Sequence, residues 1–408
     1  MRPSKRPDEE ACEPVSDPMT DLGRRALLPA GLRDVLPPHA ENEARLIEVM
    51  VARTTTHGYE RVKPPLIEFE TSLLEGPGAA LSSRVFRLMD PMSQRMMGVR
   101  ADMTAQVARI ASTRLKNVPR PLRLCYAGEV LHTTAEQVSP EREMVQVGAE
   151  LIGSHTAEAD AEIILVGVEA LRAAGVERLS LDLMVPPLVP VVLAGLDLPS
   201  ADAARLRAAI DRKDTAAVEE LGGPVAPVLT RLLAATGPKD TALAALAGID
   251  LPEEARAALE RLTQVADLVA AAAPGLAITL DPVENRGFEY HTGIAFSLFV
   301  RGVRAEVGRG GRYRPNGDPN ETATGFTLYM EKVLQALPAP KRREAVFVPH
   351  GAPREAAAAL RADGRVTVHG LEPVADVVAE ARRQRCAAVW KDGMVIALGE
   401  AGASEDKA

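Results

Sequence analysis

Aromatic residues and cysteines are scarce in this sequence of 408 residues. Phe, Trp and Tyr make up 3% of the chain, so a nucleic-acid surface built from stacked aromatic rings is disfavoured. The three cysteines, Cys12, Cys125 and Cys386, lie far apart. Their number and spacing exclude a disulfide framework and a Cys-x-x-Cys metal site, which fits a reducing cytoplasm.

The sequence also lacks a long uninterrupted hydrophobic run. The longest one, Leu183 to Leu196, contains Pro186, Pro187 and Pro190 and cannot form a spanning helix. Residues 1–27 mix charged residues with proline and have no apolar core of a signal peptide, so we predict a flexible N-terminal tail. The formal net charge of −8 gives no overall attraction to nucleic acid or anionic lipid. We therefore expect a soluble cytoplasmic protein without a membrane partner.

Several common catalytic motifs are missing as well. The sequence has no P-loop, dinucleotide-binding glycine fingerprint, His-Glu-x-x-His or Gly-x-Ser-x-Gly. The common phosphate, hydride, zinc and serine chemistries therefore lack a motif in this sequence, and we predict neither a cofactor nor a metal site. What is present is an ordinary globular composition, 46% hydrophobic and 25% charged, in a chain long enough for about two to three domains.

Hydrophobic periodicity predicts an antiparallel α/β fold in the first half of the chain. Asp102 stands where a side chain caps the first turn of a helix. The predicted helices cover about 40–57, 103–115 and 157–174, and the predicted strands cover about 59–62, 84–89, 94–99, 122–131, 144–152 and 179–185, with an irregular stretch around Gly76.

Changes in composition predict the domain organisation. From about 187 to 274 the chain becomes rich in Ala and Leu and is punctuated by Pro and Gly, which indicates an inserted helical subdomain. Further strands are predicted at 277–283, 288–300, 303–307 and 324–329. We expect a main domain over 28–335, a linker with the sequence PAPKRR, and a small, mainly parallel α/β domain over 344–400.

Polar residues stand inside otherwise apolar strands or beside glycines, as with Gln146, Glu150, Arg286, Glu289 and Arg312. Buried polar groups need partners, so their convergence on one face of a sheet would suit a small polar ligand. Solvent-facing alternation in an edge strand explains Gln146 and Glu150 equally well. A helix cap explains Asp102, and an exposed glycine turn explains Arg312.

Five ordered segments resemble the class II histidyl-tRNA synthetase family over about residues 28–335. They are LPAGLRDVLPP at 28–38, GVRADMTAQVAR at 98–109, REMVQVGAELIG at 142–153, RGFEYHTG at 286–293 and GGRYR at 310–314. The resemblance implies an antiparallel sheet flanked by helices. It places the histidine α-amino group on Asp102, Thr104 and Gln146, and the histidine imidazole on Glu150. The remaining histidine-binding residues that it implies are Arg286, Tyr290 and His291.

The same comparison shows departures at the ATP-binding motifs. Where the synthetases carry a Phe-Arg pair that orients the α-phosphate, this sequence has Val130-Leu131-His132-Thr133 and no arginine. Where they have Gly-x-Glu-Arg, it has Tyr329-Met330-Glu331-Lys332, so a bulky ring replaces the glycine and a lysine replaces the phosphate-binding arginine. Losing one such charge stabiliser typically costs on the order of a hundredfold to a thousandfold in rate. These changes argue against histidyl-adenylate formation.

A synthetase-like body with a preserved histidine site and an altered ATP site resembles the regulatory subunits of ATP phosphoribosyltransferase. The resemblance implies a non-catalytic subunit that activates the short catalytic subunit in the first step of histidine biosynthesis. It also implies feedback inhibition by L-histidine, a dimer within a hetero-octamer or similar assembly, and no tRNA partner.

Two alternatives remain open from the residues alone. The first is a divergent but active histidyl-tRNA synthetase, which would require ATP-dependent pyrophosphate exchange and tRNA binding. The second is a free-standing amino-acid-binding module that has another partner. The basic tracts at 341–343 and 381–385 are typical of a solvated linker and a solvated helix face, which weakens the tRNA-binding alternative.

Overall fold

The computed structural model describes residues 27–135, 140–194, 200–285, 287–288, 290–315 and 320–399. The chain forms two compact units. Among the described residues, the larger unit contains residues 27–34 and those between 43 and 338, and the smaller unit contains residues 35–42 and 339–399. Within the part of the chain that the structure describes, no helix combines the length and the apolar character needed to cross a bilayer.

The first elements along the chain are a long helix, which belongs to the larger unit from residue 43 onward, and a small antiparallel sheet whose central strand is Met96–Val99. The long helix buries Leu46, Met50 and Thr54, which follow one another at intervals of four and therefore share one face. The elements are α1 His39–Thr55, β1 Glu60–Arg61, β2 Ile67–Phe69, α2 Glu70–Leu73, β3 Arg87–Met89, β4 Met96–Val99 and α3 Thr104–Thr113.

The predicted pairing of 84–89 with 94–99 is confirmed, since Leu88 pairs with Met97 in antiparallel register. The stretch around Gly76, predicted to be irregular, instead forms a 3-10 helix over Gly76–Arg84. Helix α3 is shorter than predicted and begins at Thr104. These differences concern short or terminal segments, where local propensity competes with packing.

A nine-stranded sheet forms the centre of the larger unit, in the order β1-β5-β6-β12-β11-β10-β7-β9-β8. The central pairs from β5 to β7 are all antiparallel, so the predicted fold class is confirmed. The strands are β5 Leu122–Leu131, β6 Glu143–Ile152, β7 Leu179–Met184, β8 Gly237–Pro238, β9 Ala277–Asp281, β10 His291–Val300, β11 Gly308–Tyr313 and β12 Ala323–Tyr329.

The strand predicted over 303–307 is wrong. Gly302 and Ala305 have backbone φ angles of +97° and +73°, which belong to turns and interrupt a strand. The strand of this region is β11, which begins after the predicted one, at Gly308. Its sequence, GRGGRY, would by itself favour a turn. Its glycines allow close packing: a Cβ at Gly310 would overlap the ring of Phe296. Tertiary packing therefore overrides the local preference of this segment.

The long helices α4 (Ala157–Ala173) and α10 (Glu253–Ala272) pack against each other and against the sheet, and further helices lie between residues 188 and 246. Helix α10 buries Leu262, Val265, Ala266 and Val269 on one stripe, and these residues belong to the main hydrophobic core together with α4. The helices are α4 Ala157–Ala173, α5 Leu188–Leu193, α6 Ser200–Asp211, α7 Thr215–Leu221, α8 Ala226–Ala234, α9 Lys239–Leu246, α10 Glu253–Ala272 and α11 Met330–Gln335, with a 3-10 turn at Gly223–Val225.

The smaller unit has its own four-stranded sheet of order β14-β13-β15-β16. The first two pairs are parallel and the last is antiparallel, and Phe347 lies at the centre of its core. The elements are β13 Ala345–Val348, α12 Arg354–Ala362, β14 Val366–His369, α13 Val377–Arg383, β15 Ala388–Lys391 and β16 Met394–Ala397. The mainly parallel character predicted for this segment is present, and the antiparallel edge strand is an addition.

Candidate functional site

A cavity of about 270 Å³ lies over the face of the large sheet that is formed by β6, β11 and β12. It brings together residues separated by more than 200 positions in the chain. Of the seven side chains implied by the family resemblance, six line it, namely Asp102, Thr104, Gln146, Glu150, Tyr290 and His291. The seventh, Arg286, lies outside the described residues.

Glycines at matched positions of neighbouring strands make room for the polar side chains of the cavity. Glu150 pairs with Gly325 across β6 and β12, and a Cβ at Gly325 would overlap the Glu150 carboxyl group. In the same way a Cβ at Gly148 would overlap the ring of Tyr126. The smallest residue is therefore required wherever a large polar side chain crosses a neighbouring strand.

Glu150 is the most deeply buried carboxyl group of the cavity, with 1% of its surface exposed. The Tyr313 hydroxyl donates a hydrogen bond to its Oε2 at 3.0 Å, and the Tyr126 hydroxyl donates to its Oε1 at 3.3 Å. Burial raises the pKa of Glu150 to about 8, against the lowering effect of these hydrogen bonds. The solvent-facing interpretation of Glu150 is therefore wrong. The group can donate a hydrogen bond when protonated or accept one when ionised.

Asp102, Gln146 and Thr104 form a second polar group beside Glu150. Gln146 Nε2 donates to Asp102 Oδ2 at 3.0 Å, and the Met103 N–H donates to Gln146 Oε1 at 3.2 Å. Asp102 also accepts the Thr104 N–H at 2.7 Å, so the predicted contact with the first turn of α3 is present. Gln146 is 3% exposed, which overturns its solvent-facing interpretation. An anionic group held in place at the start of a helix suits a bound ammonium group.

His291 and Tyr290 stack at the wall of the cavity, with ring centroids 4.0 Å apart. His291 Nδ1 lies 3.3 Å from the backbone oxygen of Phe288. Burial lowers the pKa of His291 to about 3, so the imidazole is neutral. Tyr290 in turn packs edge-on against Tyr313, with centroids 6.2 Å apart. A neutral imidazole has one donor and one acceptor nitrogen and can replace a tyrosine hydroxyl as a hydrogen-bonding group.

The other end of the cavity is lined by His132, Tyr329, Glu331 and Lys332, the residues that depart from the ATP-binding motifs. His132 Nε2 lies 2.9 Å from the backbone oxygen of Ala101. Glu331 Oε1 accepts the Val145 N–H at 2.8 Å, while its buried Oε2 has no hydrogen-bond partner within the described residues. Burial raises the pKa of Glu331 to about 7. This end therefore carries one incompletely paired carboxyl group.

Arg312, which the sequence left open as an anion ligand or an exposed turn residue, has a structural role. It is 8% exposed. Its guanidinium group forms an ion pair with buried Asp160 on α4 at 2.8 Å and donates to the backbone oxygens of Ser154 and Thr156. Arg312 thus links β11 with α4, and removing either partner would leave the other charge buried and unpaired.

The sequence reasoning missed three side chains of the site. Tyr126 and Tyr313 donate to Glu150, and Arg309 lines the cavity from β11. Alternation along the strands is the signal that could have found them, because Arg309 and Tyr313 are four residues apart in the same strand and so share one face. Because the strand was predicted over 303–307, the alternation of Arg309 and Tyr313 within β11 was not visible.

Comparison with known proteins supports the resemblance. The family model of histidyl-tRNA synthetase matches residues 31–333. An ATP phosphoribosyltransferase regulatory subunit from Rhodospirillum centenum is 55% identical over 383 residues, which cover 94% of this chain and 97% of the relative. The regulatory subunit from Paramagnetospirillum magneticum is 56% identical over 368 residues, which cover 90% of this chain and 97% of the relative.

The fold has solved counterparts as well. A crystal structure from Bacillus halodurans, described as an ATP phosphoribosyltransferase regulatory subunit/histidyl-tRNA synthetase, superposes with a TM-score of 0.76 at 25% identity. The match covers 87% of this chain and 96% of the other.

Proposed function

Because the chain belongs to the family of ATP phosphoribosyltransferase regulatory subunits, which have the histidyl-tRNA synthetase fold, we propose that it activates a short catalytic subunit of that enzyme and makes it sensitive to L-histidine. The chain has a regulatory and not a catalytic role. In this proposal histidine binds to the regulatory subunit and shifts the assembly toward a state of lower activity, so the coupling is a difference in histidine affinity between two states.

The observation that carries the proposal is that two sets of polar side chains lie side by side in one cavity. Asp102, Thr104 and Gln146 bind the α-ammonium group of histidine, and Glu150 binds the imidazole beyond it. Tyr290, His291 and Arg286 complete the site. Support comes from the hydrogen bonds that hold Asp102 and Glu150 in place without a ligand, since preorganised polar groups lose little entropy on binding.

We further propose that the protein acts in the cytoplasm as a dimer within a hetero-octamer or similar assembly, with the catalytic subunit as its partner and without tRNA. Residues 28–335 would form the histidine-binding domain, residues 187–274 its helical insertion and residues 344–400 a small separate domain. The tail predicted over residues 1–27 lies, apart from residue 27, outside the described residues. The support is the family of the chain and the separate sheet of the smaller unit.

The experiment that tests the proposal is an activity assay of the short catalytic subunit, measured alone, with this protein added, and with this protein plus increasing L-histidine. Activation by the added protein, followed by suppression at rising histidine concentration, is expected. The same titration with the Glu150→Ala variant should show activation with weaker suppression. An activity that this protein leaves unchanged would contradict the proposal.

A further inference from the structure

Arg309 stands in the cavity at a point where neither the sequence motifs nor the proposed histidine contacts assign it a task. It lies on β11 opposite Thr327, which also lines the cavity, and one third of its side chain is exposed. Its Nη1 lies 3.5 Å from Glu306 Oε1, and its guanidinium carbon lies 5.8 Å from the ring centroid of Phe288.

Glu306 is itself held in place, because the Ser297 hydroxyl donates to its Oε2 at 2.6 Å. Arg309 is therefore positioned from one edge by a fixed carboxylate. A guanidinium group has five N–H donors in a planar arrangement, so contact with Glu306 along one edge is compatible with a second carboxylate along another.

The residues that act electrostatically on Arg309 come from both ends of the cavity. Tyr329 has the largest effect on it, and together with Glu306, Tyr290 and Asp102 it raises the pKa of Arg309. Arg309 is thus a permanent cation that faces the same space as the Asp102 carboxylate. In the described part of the cavity the cationic side chains are Arg84, Arg309 and Lys332. Arg309 lies opposite Thr327, whose Oγ1 is 3.0 Å from the Tyr126 hydroxyl. That hydroxyl in turn lies 3.4 Å from Oγ1 of Thr104, one of the proposed α-ammonium ligands.

An α-amino acid carries its ammonium and carboxylate groups on one carbon atom. A protein that binds the ammonium group at Asp102 must therefore present a carboxylate-binding group directly beside it. Arginine is well suited to this task because its fork of donors matches the two oxygens of a carboxylate. We propose that Arg309 binds the α-carboxylate of the ligand, and that it selects an intact amino acid over imidazole compounds without a carboxylate. This inference rests on the proposed histidine site.

The test is calorimetric titration of the full chain with L-histidine and with L-histidinol, in which a CH₂OH group replaces the carboxylate. The native chain is expected to prefer histidine by about tenfold to a hundredfold, the range of a charge-assisted hydrogen-bond pair. Arg309→Met should bring this ratio close to one while changing the affinity for histidinol by less than about twofold. Arg309→Lys should give an intermediate ratio, because it retains the charge and loses the planar fork.

Two further variants control for charge and for the second candidate arginine. Arg304→Met removes the same charge from an exposed position of the preceding loop and should keep the native ratio. Arg286→Met should lower the ratio less than Arg309→Met does. An Arg309→Met variant that retains the native ratio, or that loses both ligands equally, would overturn the assignment. A native chain that binds neither compound would instead contradict the histidine site itself.

Discussion

The two ends of the cavity differ in how completely their buried polar groups are paired. At the end that contains Asp102 and Glu150, both carboxyl groups accept hydrogen bonds on each of their oxygens. At the end that contains Glu331, one carboxyl oxygen is bonded and the other is buried without a partner among the described residues. The first end retains the motifs of the synthetase family, and the second departs from them.

Within this cavity, the carboxyl groups that match the synthetase motifs are the ones whose oxygens are all hydrogen-bonded. A buried carboxyl group without full hydrogen bonding is costly, and Tyr126, Tyr313 and Gln146 remove that cost at the proposed histidine end. Comparable support is incomplete around Glu331. A protein that had to bind histidine and no longer had to bind ATP would need the first set of contacts and not the second. The following predictions test that contrast.

The largest expected difference concerns adenylate formation. With Val130-Leu131-His132-Thr133 and Lys332 where the synthetases carry phosphate-orienting arginines, the histidine-dependent exchange of pyrophosphate into ATP should be at least about a hundredfold to a thousandfold slower than in a histidyl-tRNA synthetase. The measurement is a pyrophosphate-exchange assay run beside an active synthetase, on a sample whose histidine binding has been verified. Exchange at the rate of the synthetase would mean that the altered end of the cavity still binds and orients ATP, which would contradict the contrast between the two ends.

The second-largest effect is expected from loss of the Glu150 carboxyl group. Glu150→Ala is expected to weaken histidine binding by about tenfold to a hundredfold, because it removes the proposed hydrogen bond to the imidazole and leaves the buried Tyr313 hydroxyl without its Glu150 acceptor. Calorimetry measures the affinity, and size-exclusion chromatography with the catalytic subunit should show unchanged assembly. Glu143→Ala, an exposed glutamate on the same strand, is the matched control. Equal affinities for native chain and Glu150→Ala would refute the pocket assignment.

The raised pKa of Glu150 predicts a pH dependence of stability in the absence of ligand. Its pKa is about 8 in the folded protein and has an ordinary value of 4.5, so between these values the folded state holds a proton that the unfolded state has released. The native chain should lose stability as pH rises through this window, by up to about 1.4 kcal/mol per pH unit, relative to Glu150→Gln.

Urea unfolding of both proteins between pH 5 and pH 9 measures this difference. The curves of unfolding free energy against pH should diverge up to about pH 8 and run parallel above it. Parallel curves over the whole range would show that Glu150 titrates normally.

The smallest effect is expected at the other end of the cavity. Glu331→Gln should change the histidine affinity by less than about twofold, because Glu331 belongs to the end without the proposed histidine contacts. It should make stability less dependent on pH up to about 7, since burial raises the pKa of Glu331 to that value. A loss of histidine affinity as large as that of Glu150→Ala would mean that the two ends act as one site.

Much of the fold could be predicted from local pattern. The strands β5, β6 and β7 and the helix α4 lie within one or two residues of their predicted bounds, because long alternating or helical apolar patterns are decisive on their own. The strand β11 was misplaced because three of its six residues are glycines. Glycine favours turns locally, and its value in this strand is the space it leaves for Phe296 and His291.

The sequence by itself determined which chemistry is available: the ordered motifs, the carboxylates of Asp102 and Glu150, and the replaced ATP-binding residues. Only the tertiary structure decided what the side chains of the GRGGRY segment contact on each face of the sheet. Arg309 and Arg312 are three residues apart in β11 and so point to opposite faces of the sheet. Helix α4 covers one face and supplies Asp160 to Arg312, whereas the other face is open to the cavity and receives Arg309. Local sequence does not distinguish these faces, because the elements that cover them come from distant parts of the chain.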